Sequence, residues 1–182
     1  ELWPVALEAM GQLIGARMSS IAIFDPSQKS ARYAYYWGAD PDWPYWIKLF
    51  EEKYAALMPF YGVMEALPVD QVINTAMMIE ASGVNDFYEG EFYKGWGEPA
   101  GLKDVAAAVV VRSSRLNVGL NIHTPLTADY VGRREIEIVE LLLPHVRRAA
   151  LIGEKPIDVE AMPSASLRIM RSSMNWSRSP CS

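Results

Sequence analysis

Apolar positions recur along this chain with two different periods. Leu2, Val5, Ala6, Ala9, Met10, Leu13 and Ile14 fall at steps of three and four. That is the spacing of one helix face, and Gly15 supplies a stop. Residues 17–24 read as a strand with Met18, Ile21 and Ile23 apolar, turning at Asp25-Pro26-Ser27. Residues 31–37 read as a second strand, and the short polar turn makes the pair a hairpin. Asp40-Pro41-Asp42 opens a helix whose stripe is Trp43, Trp46, Ile47, Phe50 and Tyr54, and Met58-Pro59 ends it. The stretch 68–79 fits either period through Val69, Val72, Ile73 and Met77, and is read as a short strand followed by a turn. Residues 84–93 predict a helix bearing Phe87, Tyr88 and Phe92, broken by Pro99-Ala100-Gly101.

The second half repeats the strand pattern at 104–111 and 116–122, joined by Arg112-Ser113-Ser114-Arg115. The longest helix is predicted over 127–153, with Ile136, Val139, Leu143, Val146 and Ala150 on its stripe. Pro144 sits inside it. A proline there lacks the amide hydrogen and clashes one turn back, at about 3 kcal/mol, so a kink is expected. From residue 154 periodicity disappears, serines and prolines accumulate, and Arg168, Arg171 and Arg178 appear. This predicts one domain over 1–153 and a weakly ordered tail over 154–182. Strand pairs separated by a helical insertion give an antiparallel sheet flanked by helices. The expected class is α/β, a PAS/GAF-like α-β-α sandwich, and a doubly wound parallel sheet is disfavoured.

Composition narrows the function. The chain has 182 residues, 51% hydrophobic and 21% charged, which suits one folded domain. A net charge of -5 gives no electrostatic footprint for nucleic acid or an anionic membrane. No apolar run of about 18 residues predicts a membrane span, and no signal peptide is visible. Cys181 is the only cysteine, so no internal disulfide can form, and a reducing cytoplasm is the expected location. His123, His145 and Cys181 cannot furnish a zinc site. No phosphate loop, dinucleotide fingerprint or nucleophile elbow is present, and no nucleophile, base and acid are arranged together. The expectation is a non-enzymatic protein without metal or cofactor. The chain opens on Glu1, and a fragment is the expectation.

The best candidate chemistry is aromatic. Tyr33, Tyr35 and Trp37 alternate onto one face of the second strand. Trp46, Phe50 and Tyr54 share one face of the following helix, with Tyr45 and Met58 beside them. If the two faces meet, they enclose an apolar cavity with hydroxyl and indole donors in its wall, suited to a small apolar ligand. The same residues could equally be a sheet-on-helix core. Trp96, among Gly95, Gly97, Pro99 and Gly101, reads as a structural corner. His145, without an acid or nucleophile near it in sequence, reads as packing. The long helix carries a second apolar edge at Ile138, Leu141, Leu142 and Ala149, which predicts a homodimer through 127–153.

Several segments carry a resemblance. They are Trp3-Pro4-Val5-Ala6-Leu7, Tyr54-Ala55-Ala56-Leu57-Met58-Pro59, the run from Phe92-Tyr93-Lys94-Gly95-Trp96 to Leu102-Lys103-Asp104, and 135–149 with Pro144-His145 and Arg148-Ala149. In combination they resemble the N-terminal sensory half of LuxR-type helix-turn-helix transcription regulators, over residues 1–153. The resemblance implies a GAF/PAS-like small-molecule sensor, dimeric, that controls a DNA-binding domain following it. That domain is absent from this chain, so DNA would be reached only through it. Loss of periodicity just after the last matching residue is what truncation or a shifted reading frame would produce. Acyl-homoserine-lactone sensors of the family place an aspartate before the proline that ends the mid-domain helix. Here Met58 stands there, and it cannot accept the ligand's amide hydrogen bond. The resemblance therefore implies a different ligand, or a protein-interaction module of the same fold with none.

Overall fold

The structure, a computed structural model, describes residues 2–25, 30–114 and 116–152. The expected tail over 154–182 lies outside these residues. Helix α1 (Trp3–Leu13) begins with Pro4 in its first turn, where a missing amide costs nothing. Gly15, at φ 65°, makes the left-handed turn that releases the chain into β1 (Met18–Asp25). β1 and β2 (Ser30–Gly38) pair antiparallel, as the hairpin reading requires. Next come α2 (Trp43–Leu49), α3 (Tyr61–Ala66), β3 (Val72–Ile73) and α4 (Thr75–Ser82). β4 (Leu102–Arg112), β5 (Asn117–Pro125) and α5 (Arg133–Ile152) complete the order. All strand pairs are antiparallel, in the order β2-β1-β5-β4-β3. With helices on both faces, this is the expected α/β sandwich.

Local readings differ in four places. The helix opened at Asp42 does not keep one pitch: α2 passes into a π turn at Phe50–Tyr54 and a 3-10 turn at Ala55–Leu57. The ambiguous stretch holds a two-residue strand and then a helix, not a turn. Asn74 caps that helix by accepting from the Met77 amide at 2.9 Å, and Gly83 ends it at φ 73°. Residues 84–93 form no α-helix of that length. A 3-10 turn at Phe87–Glu89 and a π turn at Tyr93–Gly97 replace it. These tighter and wider turns let Phe87, Tyr88, Phe92 and Tyr93 converge, with neighbouring centroids 4.9–6.2 Å apart. Finally, α5 starts at Arg133 rather than 127. The Glu135 carboxylate accepts from the Gly132 amide at 3.0 Å and fixes that start. The helix runs unbroken through Pro144.

The sheet separates two layers. On one face α1 and α5 bury Leu7, Met10, Val139, Leu143 and Val146 against Ile21, Ile23, Val110, Val118, Leu120 and Ile122. On the other, the segment from α2 to the π turn at Tyr93–Gly97 packs in two clusters. One gathers Trp43, Tyr54 and Trp96 over Met18 and Leu102. The other gathers Phe60, Phe87 and Tyr93 over Ile73, Ala107 and Val109. Asp104, buried, ties the layers together: its carboxylate accepts from the amides of Thr75 at 3.0 Å, Val105 at 2.7 Å and Val131 at 2.8 Å. Asn74 adds a bond from its side-chain amide to the Val131 carbonyl at 2.7 Å.

Candidate functional site

The two aromatic sets of the sequence reading do not meet. Alternation along β2 sends Tyr35 and Trp37 to the α1/α5 face, where Tyr35 stacks on Trp3 at 6.4 Å. Trp37 lies so close under α1 that a Cβ on Gly11 would come within 2.8 Å of its ring. Trp46, Phe50 and Tyr54 pack on the opposite side of the sheet. The cavity expected between the two sets is therefore ruled out by the phase of β2. Tyr33 pairs with Ile23 through its backbone, and its side chain lies outside the described residues. Tyr45 is exposed and edge-on to Trp46 at 5.0 Å. Met58 is half-buried at the corner before α3.

The β2 residue that joins the helical layer is Tyr36, one position out of phase with the expected set. Its phenol donates to Glu51 at 3.5 Å. Burial and the neighbouring carboxylate hold the Tyr36 phenol protonated well above its ordinary range. Burial likewise raises Glu51, although the phenol's hydrogen bond opposes that shift.

Register shows what lies beside Tyr36. It pairs with Ser20, Ser20 with Asn121, and Asn121 with Ala107. One step along, the row reads Ala34, Ala22, Gly119, Val109. The other step reads Gly38, Met18, His123, Val105. β1 is central, with partners on both sides, yet Ala22 is exposed. A Cβ added at Gly119 would meet nothing within 4 Å. The middle of this face is thus a floor of small residues left uncovered between the two helical clusters. A polar band borders it. Among the described residues neither Ser20, 6% exposed, nor the Asn121 amide has a side-chain hydrogen-bond partner. His123 ends the stripe. Its ring lies 6.3 Å from that of Trp96 at a steep angle, and burial lowers its pKa to about 4 against a smaller upward pull from Asp104.

Trp96 is structural, as its glycine-rich context suggested. It is buried, donates from Nε1 to the Trp46 carbonyl at 2.8 Å, and sits 4.8 Å from Phe50. This bond clamps the Tyr93–Gly97 turn to α2. A separate open groove of about 490 Å³ lies between α3 and α4, lined by Pro59, Gly62, Val63, Ala66, Leu67, Ala81 and Ser82. None of the aromatic candidates lines it.

Sequence reasoning missed Ser20, Tyr36, Glu51, Gly119 and Asn121, and gave His123 little weight. A signal existed in β5, where Asn117, Gly119, Asn121 and His123 alternate with Val118, Leu120 and Ile122. An apolar face against a polar, small-residue face marks a strand with one side packed and one side available.

Comparison with solved structures identifies the fold. The ligand-binding domain of VqsR from Pseudomonas aeruginosa superposes with a TM-score of 0.57 at 18% identity, over 80% of this chain and 81% of that one. Escherichia coli SdiA gives 0.56 at 13% identity, covering 92% and 75% of the two chains. SdiA in complex with octanoyl-rac-glycerol gives 0.57 at 13% identity, covering 92% and 73%. Both are LuxR-type regulators, so the chain has the fold of a LuxR-type ligand-binding domain. No protein-family model matches the sequence, and no curated protein matches it significantly. Among the described residues no helix is long and apolar enough to cross a membrane.

Proposed function

We propose that this domain is the sensory half of a LuxR-like transcription regulator and binds a small, largely apolar molecule on the sheet face opposite α1 and α5. The observation that carries the reading is the uncovered floor of Ala34, Ala22 and Gly119 beside the unpartnered Ser20 and Asn121. An apolar surface with a few convergent polar groups is the composition of a small-molecule site. Trp46, Phe50 and Tyr54, with Met58 and Tyr45 toward the rim, form its wall on the helical side. SdiA, of the same fold, has been solved with octanoyl-rac-glycerol, which supports an amphiphilic ligand. The chemistry is binding, not catalysis, and no metal or cofactor enters it.

Signalling would follow by population shift. A ligand that bridges the floor and the helical layer favours one packing of α2–α4 on the sheet. The Asp104 and Asn74 bonds connect the start of α4 to Val131, just ahead of α5, so a change in that packing has a physical route to α5. In this reading α5 pairs with a second copy, in the cytoplasm, and governs an attached DNA-binding domain. Leu141 is 76% exposed on α5 and Val5 64% exposed on α1, on helices that cover the same sheet face. The same exposed residues favour the alternative of a protein-interaction module without a small ligand.

The test uses Gly119→Leu, which fills the open position from the sheet side with little cost to the core. Native mass spectrometry of the domain purified from its host should reveal a copurifying small molecule, which this variant loses while remaining folded. A clean apo mass from wild type, unchanged by host extract, would leave the interaction module as the better reading.

A further inference from the structure

The floor has an acidic edge that no cation among the described side chains balances. In the turn after α2 the charged side chains otherwise pair off: Lys48 lies 3.8 Å from Glu52, and Lys53 lies 3.7 Å from Glu91. Glu51, between them, has no cationic partner among the described residues, and its one polar contact is the Tyr36 phenol. Two other described cations around the sheet are already engaged. Arg17 lies 2.6 Å from Asp40 and donates to the Ala100 carbonyl at 2.9 Å. Arg112, at the far end of the floor, donates to the carbonyls of Leu67 at 2.8 Å and Met64 at 2.7 Å.

A second observation marks the same place. Ser20 pairs in register with Tyr36, is more than nine-tenths buried, and its hydroxyl has no hydrogen-bond partner among the described residues. Its oxygen keeps contact with solvent, so it is open to a ligand's hydrogen bond. Glu51 is an exposed carboxylate, and an opposite charge brought close to it favours its ionised form. A carboxylate or phosphate head placed here would meet Glu51 with no free cation nearby among the described side chains.

We propose that the molecule sensed by this domain carries a cationic nitrogen, a protonated amine on an apolar body, held by Glu51 at the Tyr36–Ser20 edge of the floor. The body lies over Ala34, Ala22 and Gly119, about 7 Å further along the strands at 3.3 Å per residue. The amine donates to the Glu51 carboxylate and to the Ser20 hydroxyl. Tyr36 keeps the carboxylate oriented. This inference rests on the ligand-sensing reading above.

The experiment compares octylamine, 1-octanol and octanoate by isothermal titration calorimetry at pH 7 with the 182-residue chain. Octylamine should bind at least about tenfold more tightly than octanol, since one charge-assisted hydrogen bond suffices for that ratio; octanoate should be weakest. Glu51→Gln should lower octylamine affinity to the level of octanol while leaving octanol unchanged, and Ser20→Ala should weaken octylamine more than octanol. Gly119→Leu should abolish binding of all three. If octanol or octanoate matches octylamine, or Glu51→Gln leaves the preference intact, the amine assignment falls. Should Gly119→Leu still abolish binding in that case, the sensing site stands without it. If Gly119→Leu leaves octylamine bound, or none of the three binds wild type, both readings fall.

Discussion

Replacing Asp104 should unfasten the two layers of this domain. Its carboxylate receives the amides of Thr75, Val105 and Val131 at 3.0, 2.7 and 2.8 Å, and the residue is 3% exposed. Asp104→Ala leaves these buried donors without their acceptor. A buried donor that loses its partner costs about 1–3 kcal/mol. The ladder shifts register between Leu102 and Asp104, just before Val105, and a small local shift can recover one bond there, so the total is about 3–6 kcal/mol. Against a typical domain stability of about 5–15 kcal/mol this is a large fraction. Asp104→Asn keeps one acceptor but turns its amide hydrogens toward an N–H, and should cost about 2–3 kcal/mol. Urea unfolding followed by far-UV circular dichroism measures both, with the exposed Asp86→Ala as a control expected within about 0.5 kcal/mol of wild type. Hydrogen exchange should place the loosening at Thr75 and Val131 before the β1–β5 ladder. An Asp104→Ala loss below about 1 kcal/mol, with an unchanged denaturant slope, would refute the claim that this carboxylate joins α4 to α5.

Two further outcomes follow from the geometry. Burial lowers His123 to about 4 from 6.5, so the unfolded chain binds a proton more readily between those values. The histidine's contribution is complete above about pH 6.5, is lost progressively as pH falls toward 4, and amounts to at most about 3 kcal/mol. The stability difference between wild type and His123→Gln in urea should shift by that sign between pH 7.5 and pH 4.5, and a flat difference would remove the half-buried neutral imidazole. If α5 forms the dimer surface, Leu141→Glu, at an exposed position, should give a monomer in sedimentation at tens of micromolar with unchanged thermal stability. Wild type that is already monomeric there removes the dimer.

The architecture was legible because most of it is written in hydrophobic period. α1, β1, β2, β4, β5 and α5 each carry a long enough repeat to be read alone. The failures have two physical causes. Residues 84–93 have helical spacing, but their four aromatics are needed in one cluster, and tertiary packing bent the backbone into 3-10 and π turns. The β2 aromatics were assigned to the wrong layer for a simpler reason. In β2 Tyr33, Tyr35, Tyr36 and Trp37 are all aromatic, so alternation cannot say which set faces which layer. A slip of one residue exchanges the faces completely. The choice was decided elsewhere, by Gly11 in α1, whose missing side chain makes room for Trp37. Nothing local to β2 records that pairing. β5, with polar and apolar positions cleanly separated, held the more readable signal.

Met58 and the polar band bear on the same question. A regulator of this fold that reads its ligand from the helical layer needs a hydrogen-bonding group there, and methionine provides none. Among the described residues the sheet offers unpartnered groups at Ser20 and Asn121, alongside the buried Trp43 Nε1 of the helical layer. Recognition centred on the strands changes what closure would mean. The sheet is the rigid element, held on its other side by α1 and α5. A ligand anchored to it would draw the α2–α4 layer inward, and not the reverse. The only described carboxylate that bonds at once to β4, to the first residue of α4 and to the segment entering α5 is Asp104. A pull on α4 is therefore felt at Val131 through one side chain and, by way of Asn74, through a second. Such a coupling requires that Asp104 variants that still fold bind ligand but no longer alter hydrogen exchange at the start of α5.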